Sequence, residues 1–169
     1  MEKKEEIKKL IKDMKSDPEL ISKINVEELL KTVQDKSTDF LENKSIEMIH
    51  QETMGIILSM NISEERTLEL YNKLFEYRFV NNTQELHKGK LIKTITRNIN
   101  NEDPFTPKIH MRGKVIDIKE YDTCTHILCI NIPKQYSQYN FDHFYNFQKL
   151  SAEEQMILSL YKHIRQEDT

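Results

Sequence analysis

Apolar residues recur at helical spacing through the first 80 positions and at two-residue spacing beyond them. Ile7, Leu10, Ile11 and Met14 stand at i, i+3, i+4 and i+7, the stripe of an amphipathic helix over residues 2–16. Its other face is Lys/Glu, with i,i+4 pairs such as Glu5–Lys9. Ser16-Asp17-Pro18 ends this helix and opens another, because proline suits a first helical position. Asn25 with Glu28 forms a capping-box signature ahead of Leu29, Leu30, Val33, Phe40 and Leu41. Ser45 is the expected cap of the next helix, which turns Ile46, Ile49, Met54, Ile57 and Leu58 inward. A further start at Asn61-Ile62-Ser63 leads into Leu68, Leu70, Tyr71, Leu74 and Phe75.

Near residue 80 the period changes. Val80-Asn81-Asn82-Thr83 is a polar break and the expected boundary between a helical region, 1–82, and a small β-module, 83–169. Gly89–Thr96 is rich in branched residues and reads as a strand. Asn98–Pro107 is a loop. In the strand that follows, Lys108–Lys119, Ile109 and Met111 occupy odd positions but Ile116 and Ile118 even ones, so a β-bulge is expected at Gly113. A turn at Tyr121-Asp122 leads to a third strand, Thr125–Ile132, ended by Pro133, and a fourth is placed at Phe141–Phe147. Ser151 and Glu154 form a second capping box, opening a helix with Ile157, Leu158, Leu160, Tyr161 and Ile164. The expected fold class is therefore α+β: a helical N-terminal half, then a small antiparallel barrel-like module closed by a C-terminal helix. SH3-like and OB-like barrels both fit four short strands, and strand count does not separate them.

Composition narrows the class. A length of 169 residues suits one domain or two small modules. An apolar fraction of 37% beside 31% charged residues implies a thin core under a heavily solvated surface. Only three glycines, no tryptophan and abundant Lys, Asn and Ile indicate an AT-rich genome, such as that of a parasite, a large DNA virus or a low-GC bacterium. Cys124 and Cys129 are too few for a disulfide framework, which points to a reducing compartment. The charged N-terminus lacks the apolar core of a signal peptide, and Gly55–Leu58 is far shorter than the ~20 residues that cross a bilayer. An intracellular protein, cytoplasmic or nuclear and possible as a viral product, is the expectation, with no membrane contact.

Charge is distributed unevenly. Residues 1–85 carry 13 basic and 18 acidic side chains, and residues 115–169 carry 5 and 8. Between them Lys88, Lys90, Lys93, Arg97, Lys108, Arg112 and Lys114 face only Glu102 and Asp103. Local concentrations of cations of this kind neutralise phosphates whatever the net charge. Strand alternation would put Lys108, His110, Arg112 and Lys114 on one face, and Lys88 with Lys90 on one face. The same cations would also serve as a protected sheet edge, or as a dock for the acidic helices. Six of the 14 aromatics fall in Tyr136–Phe147. Of these, Phe141, Phe144 and Phe147 are assigned to the core. Tyr136 and Tyr139, in a polar stretch after Pro133, are expected at the surface, where they could stack on bases or anchor a protein.

Other chemistry finds little support. Cys124-x-His126-x-x-Cys129 contains zinc-type ligands, but on a strand residues 124 and 126 share a face that 129 does not, so no metal is expected. No G-x-S-x-G or P-loop is present, His50, His87 and His163 stand alone, and neither a cofactor nor catalysis is implied. The first helix is too short for a coiled coil, and its polar face is too mixed in sign for a membrane surface. The expected function is a non-enzymatic binding module. It would contact nucleic acid or another anionic partner through the basic β-surface and a protein through the helical half. The alternative is a structural or adaptor protein, viral or from a multi-subunit complex, that acts only through protein contacts. Oligomeric state is not legible.

Overall fold

The computed structural model describes residues 2–16, 25–97 and 107–167. The helix expected after Pro18 and most of the loop expected from residue 98 lie outside them. The chain is α+β and forms two compact units, residues 1–48 with 150–169, and residues 49–149. The division falls inside a helix and ahead of the last one, not at the polar break near residue 82.

The first unit is helical. It comprises α1 (Glu2–Met14), α2 (Val26–Gln34), a 3-10 segment (Lys36–Asn43), the first turn of α3 (Ile46–Leu58) and α5 (Ala152–Glu167). Helices α1, α2 and α5 pack on one another. Their stripes meet as the period requires, with Ile7, Ile11, Leu29, Val33, Leu41, Ile157, Leu158, Tyr161 and Ile164 buried. The caps hold as the sequence suggests. The Asn25 side chain accepts from Glu28 N, and Ser45 Oγ accepts from Met48 N. Ser151 N donates to Glu154 Oε2 at 2.8 Å while Glu154 N donates to Ser151 Oγ at 3.2 Å, a reciprocal box. The C-terminal helix thus belongs with the N-terminal helices.

The second unit holds the rest of α3, α4 (Glu64–Leu74, capped by Ser63) and six strands. These are β1 (Tyr77–Val80), β2 (Leu91–Thr96), β3 (Ile109–Glu120), β4 (Thr125–Ile130), β5 (Tyr136–Asn140) and β6 (Phe144–Lys149). They form one antiparallel sheet in the order β1-β6-β2-β3-β4-β5. The sheet is open: among the described residues β1 and β5 each have one neighbour, so the closed barrel expected from the sequence does not form. Two of these strands were not foreseen, β1 directly after a helix and β5 in what reads as a polar loop.

The outer face of β1, β6 and β2 is covered by α3 and α4. Ile57, Met60, Leu70 and Leu74 pack there with Tyr77, Ile95 and Phe147. Leu58, expected inward, is instead 59% exposed, and Leu68 and Phe75 are 52% and 50% exposed. On α4 the buried positions are Thr67, Leu70 and Leu74, and Leu68 lies one step, about 100°, around the helix from Thr67. The inner face encloses Val80, Leu86, Ile92, Val115, Ile127, Cys129, Tyr139 and Phe141. It curls strongly. Tyr139 on β5 donates its hydroxyl to Asn146 Oδ1 on β6 at 2.8 Å, although β2, β3 and β4 lie between those strands.

Strand β3 carries the expected bulge. Ile92 pairs with Gly113 and Lys93 with Met111, which leaves Arg112 as the extra residue. Gly113 has φ 90°, and a Cβ there would stand 2.1 Å from the Ile130 carbonyl oxygen. A second irregularity leaves Ile116 unpaired between Val115 and Asp117. The buried apolar residue is therefore Val115, while Met111 is 66% and Ile116 41% exposed.

Candidate functional site

The inner face is lined by an unusual set of polar residues. Arg78, Thr94, Asn146 and Gln148 are all buried there. Alternation along β6 places Asn146 and Gln148 opposite Tyr145 and Phe147, which face the helices. Their amides are hydrogen-bonded as both donors and acceptors. Asn146 Nδ2 donates to the Phe141 and Phe144 carbonyls, both at 3.0 Å. Gln148 Oε1 accepts from His87 N at 2.8 Å and its Nε2 donates to His87 O at 2.7 Å, so one side chain binds a backbone unit as a strand would. Partners on both sides offset the cost of burying these groups.

Next to this layer Arg112 and His110 meet the Phe144 ring, while Arg97 binds the Phe144 backbone and stacks on Tyr145 at the outer face. Arg112 projects from the β3 bulge, and its Nε donates to Thr94 Oγ1 at 3.0 Å. Its guanidinium carbon lies 4.6 Å from the Phe144 ring centre and 4.7 Å from that of Tyr139. The His110 ring meets Phe144 edge-on at 6.2 Å. Arg97 donates from Nε to the Phe144 carbonyl at 3.1 Å and covers the Tyr145 ring at 4.5 Å. Its backbone N–H binds His143 O. Lys108 is exposed just before β3 and close enough to act on His110.

The electrostatics of this group are one-sided. Burial lowers the Arg112 pKa, with Tyr139 and then Cys129 acting the other way. Burial also lowers the His110 pKa, with Arg112 and then Lys108 adding to the effect. Among the described residues, no carboxylate pairs with Arg97, His110 or Arg112. A half-buried guanidinium beside further cations is a place where an anion gains more than at an open surface, because the surrounding rings lower the local dielectric.

The remaining basic residues do not join it. The Arg112 bulge that reconciles the apolar phases also breaks the face-sharing expected of Lys108, His110, Arg112 and Lys114. Lys114 adjoins the buried Val115 and projects outward, exposed, between Leu91 and Ile130. Lys93 points to the outer face, where its Nζ donates to Lys73 O at 2.7 Å and lies 4.3 Å over the Tyr77 ring. Burial lowers its pKa, with Lys149 contributing. Lys88 is paired with Asp117 at 2.9 Å. Lys90 gives its carbonyl to Val115 N at the entry to β2. Tyr136 is 68% exposed on the outer side of β5, whereas Tyr139, expected at the surface, is 6% exposed within the inner core. A polar sequence hides that burial, because the Tyr139 hydroxyl is satisfied by another buried polar residue.

The Cys/His triplet also divides. Cys129 faces the inner core opposite Ser137, and burial pushes its thiol up to about 11. His126 stands on the other face, its Nδ1 2.6 Å from Gln138 Nε2 and its ring against Tyr121. Among the described residues no three His, Cys, Asp or Glu side chains converge as metal ligands, and no helix is long and apolar enough to cross a membrane. Sequence reasoning passed over Thr94, Asn146, Gln148 and the central place of Phe144. The available signal was amides at alternate positions in an otherwise aromatic strand, Asn146 and Gln148 between Tyr145, Phe147 and Lys149.

Compared with known protein families, curated proteins and solved structures, the chain matches none.

Proposed function

We propose that the protein is a non-enzymatic binding module that takes an anionic partner, nucleic-acid phosphate foremost, at the end of the sheet marked by Arg97, Lys108, His110 and Arg112. The observation that carries this reading is the Arg112 guanidinium, half-buried between two aromatic rings with no carboxylate beside it among the described residues. Holding a desolvated cation without a counter-ion costs stability, and a bound phosphate would offset that cost. Arg112 is fixed by Thr94, so it orients the ligand, while Arg97 and Lys108 at the rim supply attraction. The contacts are to backbone phosphate in kind and give affinity with little sequence readout.

Fluorescence anisotropy with labelled single-stranded and duplex oligonucleotides, from ~50 to ~200 mM salt, tests this. Three or four phosphate contacts give a slope of about −2 to −4 in log affinity against log salt. The Arg97→Glu, Lys108→Glu double variant should lose binding while keeping its far-UV spectrum. Lys114→Glu, on the opposite face, should bind as the parent does. No binding at the lowest salt would refute the reading.

A second reading, contact with a protein, is favoured by a separate observation. Met111, Ile116, Tyr121, Ile132 and Tyr136 expose large apolar side chains on β3, β5 and the adjoining turns, from 41% to 98%.

A further inference from the structure

We infer that the β5 edge is a self-association site, at which a second copy of this chain adds its own β5 antiparallel to the first across a two-fold axis near Gln138. The inference does not rest on the anion site; the two share only Tyr139, whose ring flanks Arg112 while its backbone belongs to β5.

Three observations lead to it. The first is the strand itself. Tyr136-Ser137-Gln138-Tyr139-Asn140 is hydrogen-bonded to β4 and, among the described residues, to no strand on its other side. Open edges are ordinarily protected by charge, proline or a bulge, and β5 has none of these along its length. The opposite edge, β1, has four residues and includes Arg78.

The second is charge depletion confined to this hairpin. From Thr123 to Phe141, nineteen residues, Lys134 is the only Lys, Arg, Asp or Glu. At the chain-wide 31% such a stretch would hold about six, and loss of charge is the compositional mark of an interface centre. The third is exposure. Tyr136 at 68% and Ile132 at 98% stand beside the edge, and Tyr136 continues on the outer face into Ile130 on β4.

The occupant follows from charge matching. An uncharged edge gives a charged strand nothing to pair with, while a second β5 brings the same neutral donors and acceptors. A dyad at Gln138 sets Gln138 against its own copy, Ser137 against Tyr139 and Tyr136 against Asn140. No like charges face each other in that register. Two-fold association through one self-complementary patch is the commonest form of protein assembly. The outer-face side chains Tyr136 and Gln138 would then lie in a band running across both copies.

Sedimentation velocity of the full chain over a range of concentrations is the test. The expected result is a concentration-dependent doubling of the 20.2 kDa mass. Gln138→Lys, which sets two ammonium groups opposite each other at the dyad, should return the monomer with an unchanged far-UV spectrum. Gln138→Glu should do the same. Mixing the two variants should restore the doubled mass, because the charges facing across the axis are then opposite. A wild-type chain that stays monomeric at every concentration overturns the proposal. So does a dimer that survives in both single variants, since its contact lies elsewhere, and so does a mixture of folded variants that fails to associate.

Discussion

Gly113 is the residue on which the shape of the inner face turns. Its φ of 90° is a conformation L side chains rarely adopt, and the Ile130 carbonyl oxygen stands 2.1 Å from where a Cβ would be. Gly113→Ala should therefore lower stability by about 2 kcal/mol or more, read as a reduced urea midpoint at an unchanged slope. A variant with the parental midpoint would show that the bulge is not fixed there. The need for this bulge was legible in the phase switch between Ile109/Met111 and Ile116/Ile118. Which branched residue would then turn inward was not. Val115 and Ile116 are equally suited to burial, and only the pairing of Val115 with Cys129 decides between them. Tyr139 was misplaced for a related reason. Its neighbours are polar, and the partner that makes its burial tolerable, Asn146, lies seven residues on and is polar too.

At the scale of elements, the described helices with polar caps were the most readable, because their ends are written in local chemistry. Asn25, Ser45, Ser63 and Ser151 each accept a backbone N–H three residues on, as their sequence contexts imply. Ser151→Ala should remove one such bond and lower stability by about 1 kcal/mol, measurable as a reduced melting temperature, with Ser151→Asp restoring most of it. A Ser151→Ala variant as stable as the parent would mean that the Glu154 bond to Ser151 N alone fixes this end. Strands were harder to read. Strand β1, Tyr-Arg-Phe-Val, begins two residues after Phe75 and has too few residues to show a period of its own. Strand β5 contains two tyrosines among Ser, Gln and Asn and, among the described residues, pairs on one side only. Both are edges, and an edge is defined by where its neighbour lies, which local sequence does not record. The same dependence on neighbours turned an expected barrel into an open sheet.

Over the whole molecule, the basic stretch at 86–114 was legible as a charge excess but not as a surface. The bulge and the alternation of β2 and β3 send Lys93 and Lys114 away from Arg112, and Asp117 takes Lys88. What stays together has a consequence for pH. The His110 pKa is held below its ordinary 6.5 by burial, Arg112 and Lys108, so the unfolded chain binds this proton more readily than the folded one. Stability should accordingly fall as pH drops through 6.5 towards the lower folded value, then level off. A phosphate beside His110 reverses the preference, so oligonucleotide affinity should rise over the same interval. Melting temperature and anisotropy followed from pH 8 to 5 in the parent and in His110→Gln check both slopes. If the substitution leaves them unchanged, His110 is not the titrating group.

The strand order also constrains how the chain can be made. Strand β6 lies between β1 and β2, yet it follows every other strand in sequence, and α5, after it, packs with helices from the first 40 residues. A growing polypeptide leaving the ribosome would therefore present β1 and β2 with empty sides until β6 emerged, and α1 and α2 without their third helix until α5 emerged. Neither unit can close before those two elements are made, and that interval is when the nascent chain is most open to chaperones and to aggregation.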